Sequence, residues 1–311
     1  MSLATADRYS DKFRRGKLLE FSRFLTALPT PFQDDEISEE AFGDLIAWQI
    51  NQGCQGLVVG GATGEAATLS DDEHLRLIRI AVETVDGRLP VVVATGTNCT
   101  QHSIALTQAA EAAGATAAMI VTPYYNKPTQ DGLYRHYREI ARSVGLPIIV
   151  ENDQSSTCID IRPETLALLA EIPNVVGIAD ATGSFSITSV SSLPTPSGFV
   201  LLSGDDATCN LFRMAGGQGF VSIIANVVPG LWANIQRACT AQDWSRAASI
   251  QIRLLPLLRA LRLEPNPAPV KYALSLLRTN FSPNVRLPLV PVSHETGLAI
   301  VSALTELKLV G

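Results

Sequence analysis

Eight short apolar runs, rich in β-branched residues, recur at intervals of roughly 20 to 35 residues with helical patterns between them, and this rhythm restricts the fold more than any other feature. The runs cover 24–28, 56–60, 90–94, 117–121, 147–150, 175–178, 199–202 and 219–224. Each is continuously apolar rather than alternating, the pattern of a parallel strand buried on both faces. Local signals punctuate them. Pro29 and Pro31 give the first run a rigid exit. Ser38 ahead of Glu39 and Glu40 predicts an N-cap with acids in the first turn of a helix running through Trp48 and Ile50. Ser70 and Glu73 have capping-box spacing before the periodic Leu75, Leu77, Ile78 and Val82. Further helices are predicted over 104–113, over about 133–142, and from Pro163 to just before Pro173. Eight such units fit a closed (β/α)8 TIM barrel better than an open doubly wound sheet. No GxGxxG follows the first run, which argues against dinucleotide binding.

Beyond Trp232 the strand signal ends. Helical patterns broken by Pro256, by Pro265, Pro267 and Pro269, and by Pro283 predict a helical subdomain in which 265–269 is a turn between helices. The expected organisation is an N-terminal extension over 1–23, the barrel over 24–230 and the helical subdomain over 231–311. A chain of 311 residues, 46% of them hydrophobic, has enough apolar side chains for a core of that size. The net charge of −6 and the absence of any Lys/Arg block argue against a nucleic-acid partner. The polar N-terminus lacks the apolar centre of a secretory signal, and no apolar run is long enough for a bilayer, so a soluble cytoplasmic protein without a membrane partner is expected. Five cysteines (Cys54, Cys99, Cys158, Cys209 and Cys239), with no CxxC pair, suggest neither a disulfide framework nor a zinc site.

In a barrel the residue at the C-terminal end of a strand faces the mouth where chemistry occurs. The sixth run delivers Ala179 there, and a methyl group is neither acid, base nor nucleophile. The second run exits into Gly60-Gly61-Ala62-Thr63-Gly64-Glu65, whose backbone N–H groups and threonine hydroxyl suit a carboxylate, although glycines also occur in such turns for steric reasons alone. The fourth exits into Pro123-Tyr124-Tyr125-Asn126-Lys127-Pro128, where a phenol either relays protons and closes over a substrate or packs in a subunit contact.

The stretches GATGEAATLSDDEH, VTPYYNKPTQDGLYRHY, VVGIADATG, LLSGDDA, GFVSIIANVVP and LEPNPAPVKYAL, in unbroken order from about Phe24 onward, resemble the dihydrodipicolinate synthase and N-acetylneuraminate lyase family. The resemblance implies a TIM barrel with C-terminal helices and a homo-oligomer, dimer or tetramer. It also implies a pyruvate-like 2-oxo acid held as a Schiff base on a lysine, with no other cofactor. It places substrate contacts at Ala62, Thr63, Gly64 and Val221, and a tyrosine lent to a neighbouring subunit at Tyr125.

The chain departs from that pattern at linked positions. Where the family reads GIKEATG, this sequence has Ala179 in place of the lysine, and a Schiff base needs an amine. Glu151 replaces the relay tyrosine, Ser156 the arginine that meets the second substrate's carboxylate, and Ala62 the first threonine. Of the remaining lysines, Lys12, Lys17 and Lys308 lie near the termini, Lys271 in a C-terminal helix, and Lys127 on a mouth loop where a surface role is expected. Glu65, Glu151, Asp180, Asp205 and Asp206 fall at strand exits, yet Glu65 and the two aspartates resemble structural family features and no histidine cluster accompanies them, so no metal site is expected.

Three functions follow. The first is a homologue without Schiff-base activity that retains a 2-oxo acid pocket. The second is an active carbon–carbon lyase or synthase with Glu151 as base or with a divalent metal. The third is a structural subunit that co-assembles with an active paralogue.

Overall fold

The computed structural model describes residues 23–183, 196 and 198–310; the predicted N-terminal extension, with Lys12 and Lys17, lies outside them except for Arg23. Eight parallel strands close into a barrel: β1 (Phe24–Ala27), β4 (Leu57–Val59), β5 (Val91–Ala94), β6 (Ala117–Val121), β7 (Ile148–Asn152), β8 (Val175–Asp180), β9 (Val200–Ser203) and β10 (Gly219–Ser222). Neighbours follow chain order, and β1 closes the ring by pairing with β10 at Leu25↔Val221 and with β4 at Ala27↔Val58. Two further strands, β2 (Phe32–Gln33) and β3 (Glu36–Ile37), form a small antiparallel hairpin after β1 that the apolar pattern does not announce.

The continuous apolar runs sort into two layers because successive side chains on a strand point to opposite faces. Leu25, Val58, Val92, Met119, Ile149, Ala179, Leu202 and Val221, one from each strand, fill the barrel interior with Ala117, Val176 and Val200. The opposite faces, such as Phe24, Leu57, Val93, Ile120 and Ile178, pack against the surrounding helices. β8 approaches β9 closely at Gly177, where an added Cβ would lie 2.5 Å from the Val200 carbonyl oxygen. Between β7 and β8 the register slips: Ile148 pairs with Val175, but Ile149 pairs with Gly177. The slip brings Glu151 beside Ala179 and Asn152 beside Asp180.

The helices are α1 (Glu39–Asn51), α2 (Asp71–Val85), α3 (Thr100–Ala112), α4 (Gln130–Ser143), α5 (Gln154–Thr157), α6 (Pro163–Ala170), α7 (Cys209–Met214), α8 (Pro229–Thr240), α9 (Trp244–Ala260), α10 (Ala268–Leu277) and α11 (His294–Glu306). The capping box at α2 forms in both directions, with Glu73 N donating to Ser70 Oγ at 3.3 Å and Ser70 N to the Glu73 carboxylate at 2.8 Å. Ser38 occupies the N-cap of α1, but its side chain makes no capping bond. The helices predicted at 104–113 and 133–142 begin earlier, at Thr100 and Gln130, because polar first turns carry no apolar period. The eighth strand is shorter than its apolar run: it ends at Ser222, and Ile224–Asn226 form a 3-10 turn.

Pro256 does not break α9, contrary to the sequence pattern. Its ring lies on the exposed side of that helix, and the carbonyl it leaves unbonded, on Ile252, belongs to a residue 64% exposed, so the lost donor is missed on the solvent side and not in the core. The cysteines are all free; Cys54, Cys209 and Cys239 are buried, and Cys99 and Cys158 exposed. No helix among the described residues is long and apolar enough to cross a membrane.

One buried ionic cluster ties the C-terminal helices to the barrel. Lys271 Nζ, fully buried, lies 2.5 Å from Glu65 Oε1, donates to the Asn284 carbonyl at 2.6 Å and sits 4.2 Å from the centre of the Phe32 ring. The Arg286 N–H donates to Glu65 Oε2 at 2.9 Å, while its guanidinium holds Glu73 at 2.6 Å. Burial pulls the Lys271 ammonium down to about 8, against the attraction of Glu65.

Candidate active site

The C-terminal ends of the strands enclose a cavity of about 430 Å³. Its wall includes Ala27 in β1 and Leu28 just after it, Val58 in β4 and residues 61–64 after it, Met119 from β6, Glu151 and Asp153 at the end of β7, Ala179 and Ala181 at the end of β8, Gly204 and Asp205 after β9, and Val221 and Ile223 at the end of β10. Every substrate-contact position read from the sequence, Ala62, Thr63, Gly64 and Val221, therefore faces one space, together with Glu151, Ser156 and Ala179.

The turn after β4 is held tightly. Gly60 has φ +69°, and a Cβ there would collide with the His74 ring at 2.4 Å. The Thr30 hydroxyl donates to the Gly64 carbonyl at 2.7 Å, and Glu65 N donates to the Ala62 carbonyl at 3.1 Å. The Thr63 hydroxyl oxygen accepts from Asn266 Nδ2 at 2.9 Å. The backbone N–H groups of Thr63 and Gly64 donate to no described residue, which leaves two donors at a strand-to-helix turn.

Across the mouth, Glu151 is half-buried and its carboxylate accepts no hydrogen bond from a described residue. Burial raises its carboxyl to about 7, and the nearby Asp153 adds to the rise. Asp153 is itself satisfied, because it caps α5: Oδ1 accepts from Ser155 N and Ser155 Oγ at 3.1 and 2.6 Å, and Oδ2 from Ser156 Oγ at 2.5 Å. Ala179, 2% exposed, lies between Glu151 and Leu202 as their Cα partner in the sheet.

Asp180 points away from the cavity. Its Oδ1 accepts from Asn152 Nδ2 at 3.2 Å and its Oδ2 from the Thr182 hydroxyl at 2.9 Å. Burial lifts it to about 6 against those hydrogen bonds. Asp206 accepts from the Ile223 and Ile224 N–H groups at 3.0 and 2.9 Å and so anchors the end of β10. Asp205 is bonded by the Thr208 hydroxyl at 2.6 Å and by the Arg262 guanidinium; these contacts overcome its burial and hold it below the usual aspartate range. Among the described residues no group of three or more His, Cys, Asp or Glu side chains is placed to hold a metal ion.

Other sequence candidates lie apart from the cavity. Tyr125 is 89% exposed on the loop after β6 and is not part of the wall. It sits at φ +72° between Tyr124 and Asn126, whose N–H donates to the Tyr124 carbonyl at 2.9 Å, while Asn126 Nδ2 is tied to the Asn98 carbonyl at 2.8 Å. Lys127 is exposed on the same loop, Lys271 is engaged with Glu65, and Lys308 is exposed near the C-terminus. No described residue lining the cavity is a lysine.

The sequence alone did not mark Arg262, Asp153 or Asn266 as wall residues. Arg262 and Asn266 arrive from the segment between α9 and α10, which reads locally as a proline-rich turn; only the closed barrel reveals that it spans the mouth from Asp205 at β9 to Thr63 at β4.

A closed eight-stranded barrel whose strand ends line one cavity defines a (β/α)8 protein with a pocket at its mouth. Within that class, a sequence model of the dihydrodipicolinate synthetase family matches residues 20–307, and the chain belongs to that family. It is 45% identical to the 4-hydroxy-tetrahydrodipicolinate synthase of Rhodospirillum centenum over 286 residues, which span 92% of this chain and 98% of that protein. The corresponding enzyme of Rhizobium meliloti is 46% identical over 274 residues, 88% of this chain and 94% of its own. Among solved structures, the chloride-inhibited dihydrodipicolinate synthase from Acinetobacter baumannii complexed with pyruvate superposes with a TM-score of 0.89 at 37% identity, covering 92% of this chain and 98% of that one.

Proposed function

We propose that this family member binds a small carboxylic acid of the pyruvate kind in its barrel mouth without forming a Schiff base. The observation that carries the reading is Ala179: it stands where the family's motif has its lysine, it lines the cavity, and no described wall residue offers another lysine amine. An imine requires that amine, and without it a 2-oxo acid has no covalent electron sink on the protein. The unbonded N–H groups of Thr63 and Gly64 support retention of a carboxylate contact. Glu151 and Ser156, at positions where the family carries tyrosine and arginine, face the same cavity and support a joint loss of the older chemistry. Borohydride reduction in the presence of pyruvate is expected to leave the intact protein mass unchanged; a stable pyruvyl adduct would overturn the proposal.

One observation favours a second reading, an active lyase or synthase. Glu151 is unpaired and raised to about 7, the character of a general base near neutral pH. On that reading 2-oxo acid turnover is lost in Glu151→Gln by a factor of about 100 or more. Equal rates for the two proteins in a steady-state assay would remove Glu151 from that role.

A further inference from the structure

Residues with backbone donors and a carboxylate that have no partner among the described residues line the same cavity. On the β4 side, the Thr63 and Gly64 N–H groups donate to no described residue. On the β7 side, the half-buried Glu151 carboxylate accepts from none. The other charged groups of the wall have partners: Arg262 pairs with Asp205, and Asp153 accepts from the Ser155 and Ser156 hydroxyls. Glu151 is thus the one charged wall side chain, among the described residues, with neither an ion pair nor a hydrogen bond. A partly dry carboxylate is costly unless a cation or several donors meet it. Its neighbour Ala179 supplies volume and no amine. Asn266 Oδ1, buried without a partner beside Thr63, adds a second acceptor that lacks a donor.

We propose that the ligand is an amino acid, whose carboxylate takes the Thr63 and Gly64 N–H groups and whose ammonium pairs with Glu151. The proposal rests on the reading of the mouth as a pocket that forms no Schiff base, and it names the ligand class for that pocket. A 2-oxo acid of the same skeleton brings only acceptors, so against an acceptor-only carboxylate it leaves Glu151 unmatched and adds repulsion. An ammonium brings three donors and a charge of the required sign. A cavity of about 430 Å³ falls within the range of small-molecule pockets. Where a site is built to pair one polar group, analogues that lack its partner are rejected strongly.

The test is calorimetric titration at pH 8 with two matched pairs, L-alanine against pyruvate and L-glutamate against 2-oxoglutarate. In at least one pair the amino acid is expected to bind tenfold or more tightly than the oxo acid, and Glu151→Gln is expected to abolish that preference while an oxo acid binds the variant no worse. Equal or tighter binding of both oxo acids to the wild type overturns the inference and leaves the pocket reading intact, as does a preference that survives Glu151→Gln. Failure of all four compounds to bind overturns both. Ligand-free melting curves establish that the variant is folded; should it not be, the wild-type comparison of matched pairs decides alone.

Discussion

At residue scale the chemistry of the mouth turns on Glu151 and Ala179. Ala179 was legible from its place at the end of an apolar run and Glu151 from the family resemblance, but their adjacency was not, because it depends on a register slip between strands that share no local signal. The ionisation of Glu151 has a measurable consequence. Its carboxyl is raised from an ordinary 4.5 to about 7 in the folded protein. A folded-state value above the unfolded one means that the folded form holds its proton more tightly. Stability from this group is therefore complete below about 4.5 and is lost as pH rises through about 7. Glu151→Gln cannot ionise, so it is expected to match the wild type at pH 4 and to exceed it by about 1 to 3 kcal/mol at pH 8, measured by urea denaturation at both values. Parallel pH dependence in the two proteins would contradict the burial described here.

Elements divide into those that local signals specify and those that packing imposes. The capping box of α2, the proline at the start of α6 and the run of β8 formed where the residue types indicated, since hydrogen bonds three residues apart and the restricted φ of proline act within the element. Helix α9 persisted through Pro256 because packing of Leu254, Leu257 and Leu258 outweighs a local breaker on its exposed side. The buried pair of Lys271 in α10 and Glu65 after β4 shows the same dominance of tertiary context. Neither residue has a sequence neighbour that predicts the other. Lys271→Met leaves Glu65 buried without its cation and is expected to cost about 3 to 5 kcal/mol in chemical denaturation. The double variant Lys271→Met/Glu65→Gln is expected to recover part of that loss; no recovery would show that the pair is not the source of the cost.

For the whole molecule, the alternation of runs and helices pointed to a closed barrel, and the closed barrel gathered residues from seven strand ends into one cavity. Assembly belongs to this scale as well. The family resemblance implies a homo-oligomer, and Tyr125 at 89%, Leu287 at 79% and Ile252 at 64% exposure are large apolar side chains on the surface of the single chain. Light scattering coupled to size exclusion is expected to give the mass of two or four 33.3 kDa chains. A single-chain mass at micromolar concentration would refute it.

The sequence by itself determined the strand–helix rhythm, the helix starts that carry a capping box or an N1 proline, the family and the identities of the unusual side chains, because apolar period, capping and motif order are properties of neighbouring residues. Only the tertiary structure decided which of those side chains meet. The contact between Asn266 and Thr63 joins residues 203 positions apart, and the Arg262–Asp205 pair joins residues 57 apart. Such contacts arise when the ring of strands closes and when a slip of one residue turns Ala179 inward beside Glu151, and no local pattern encodes either event.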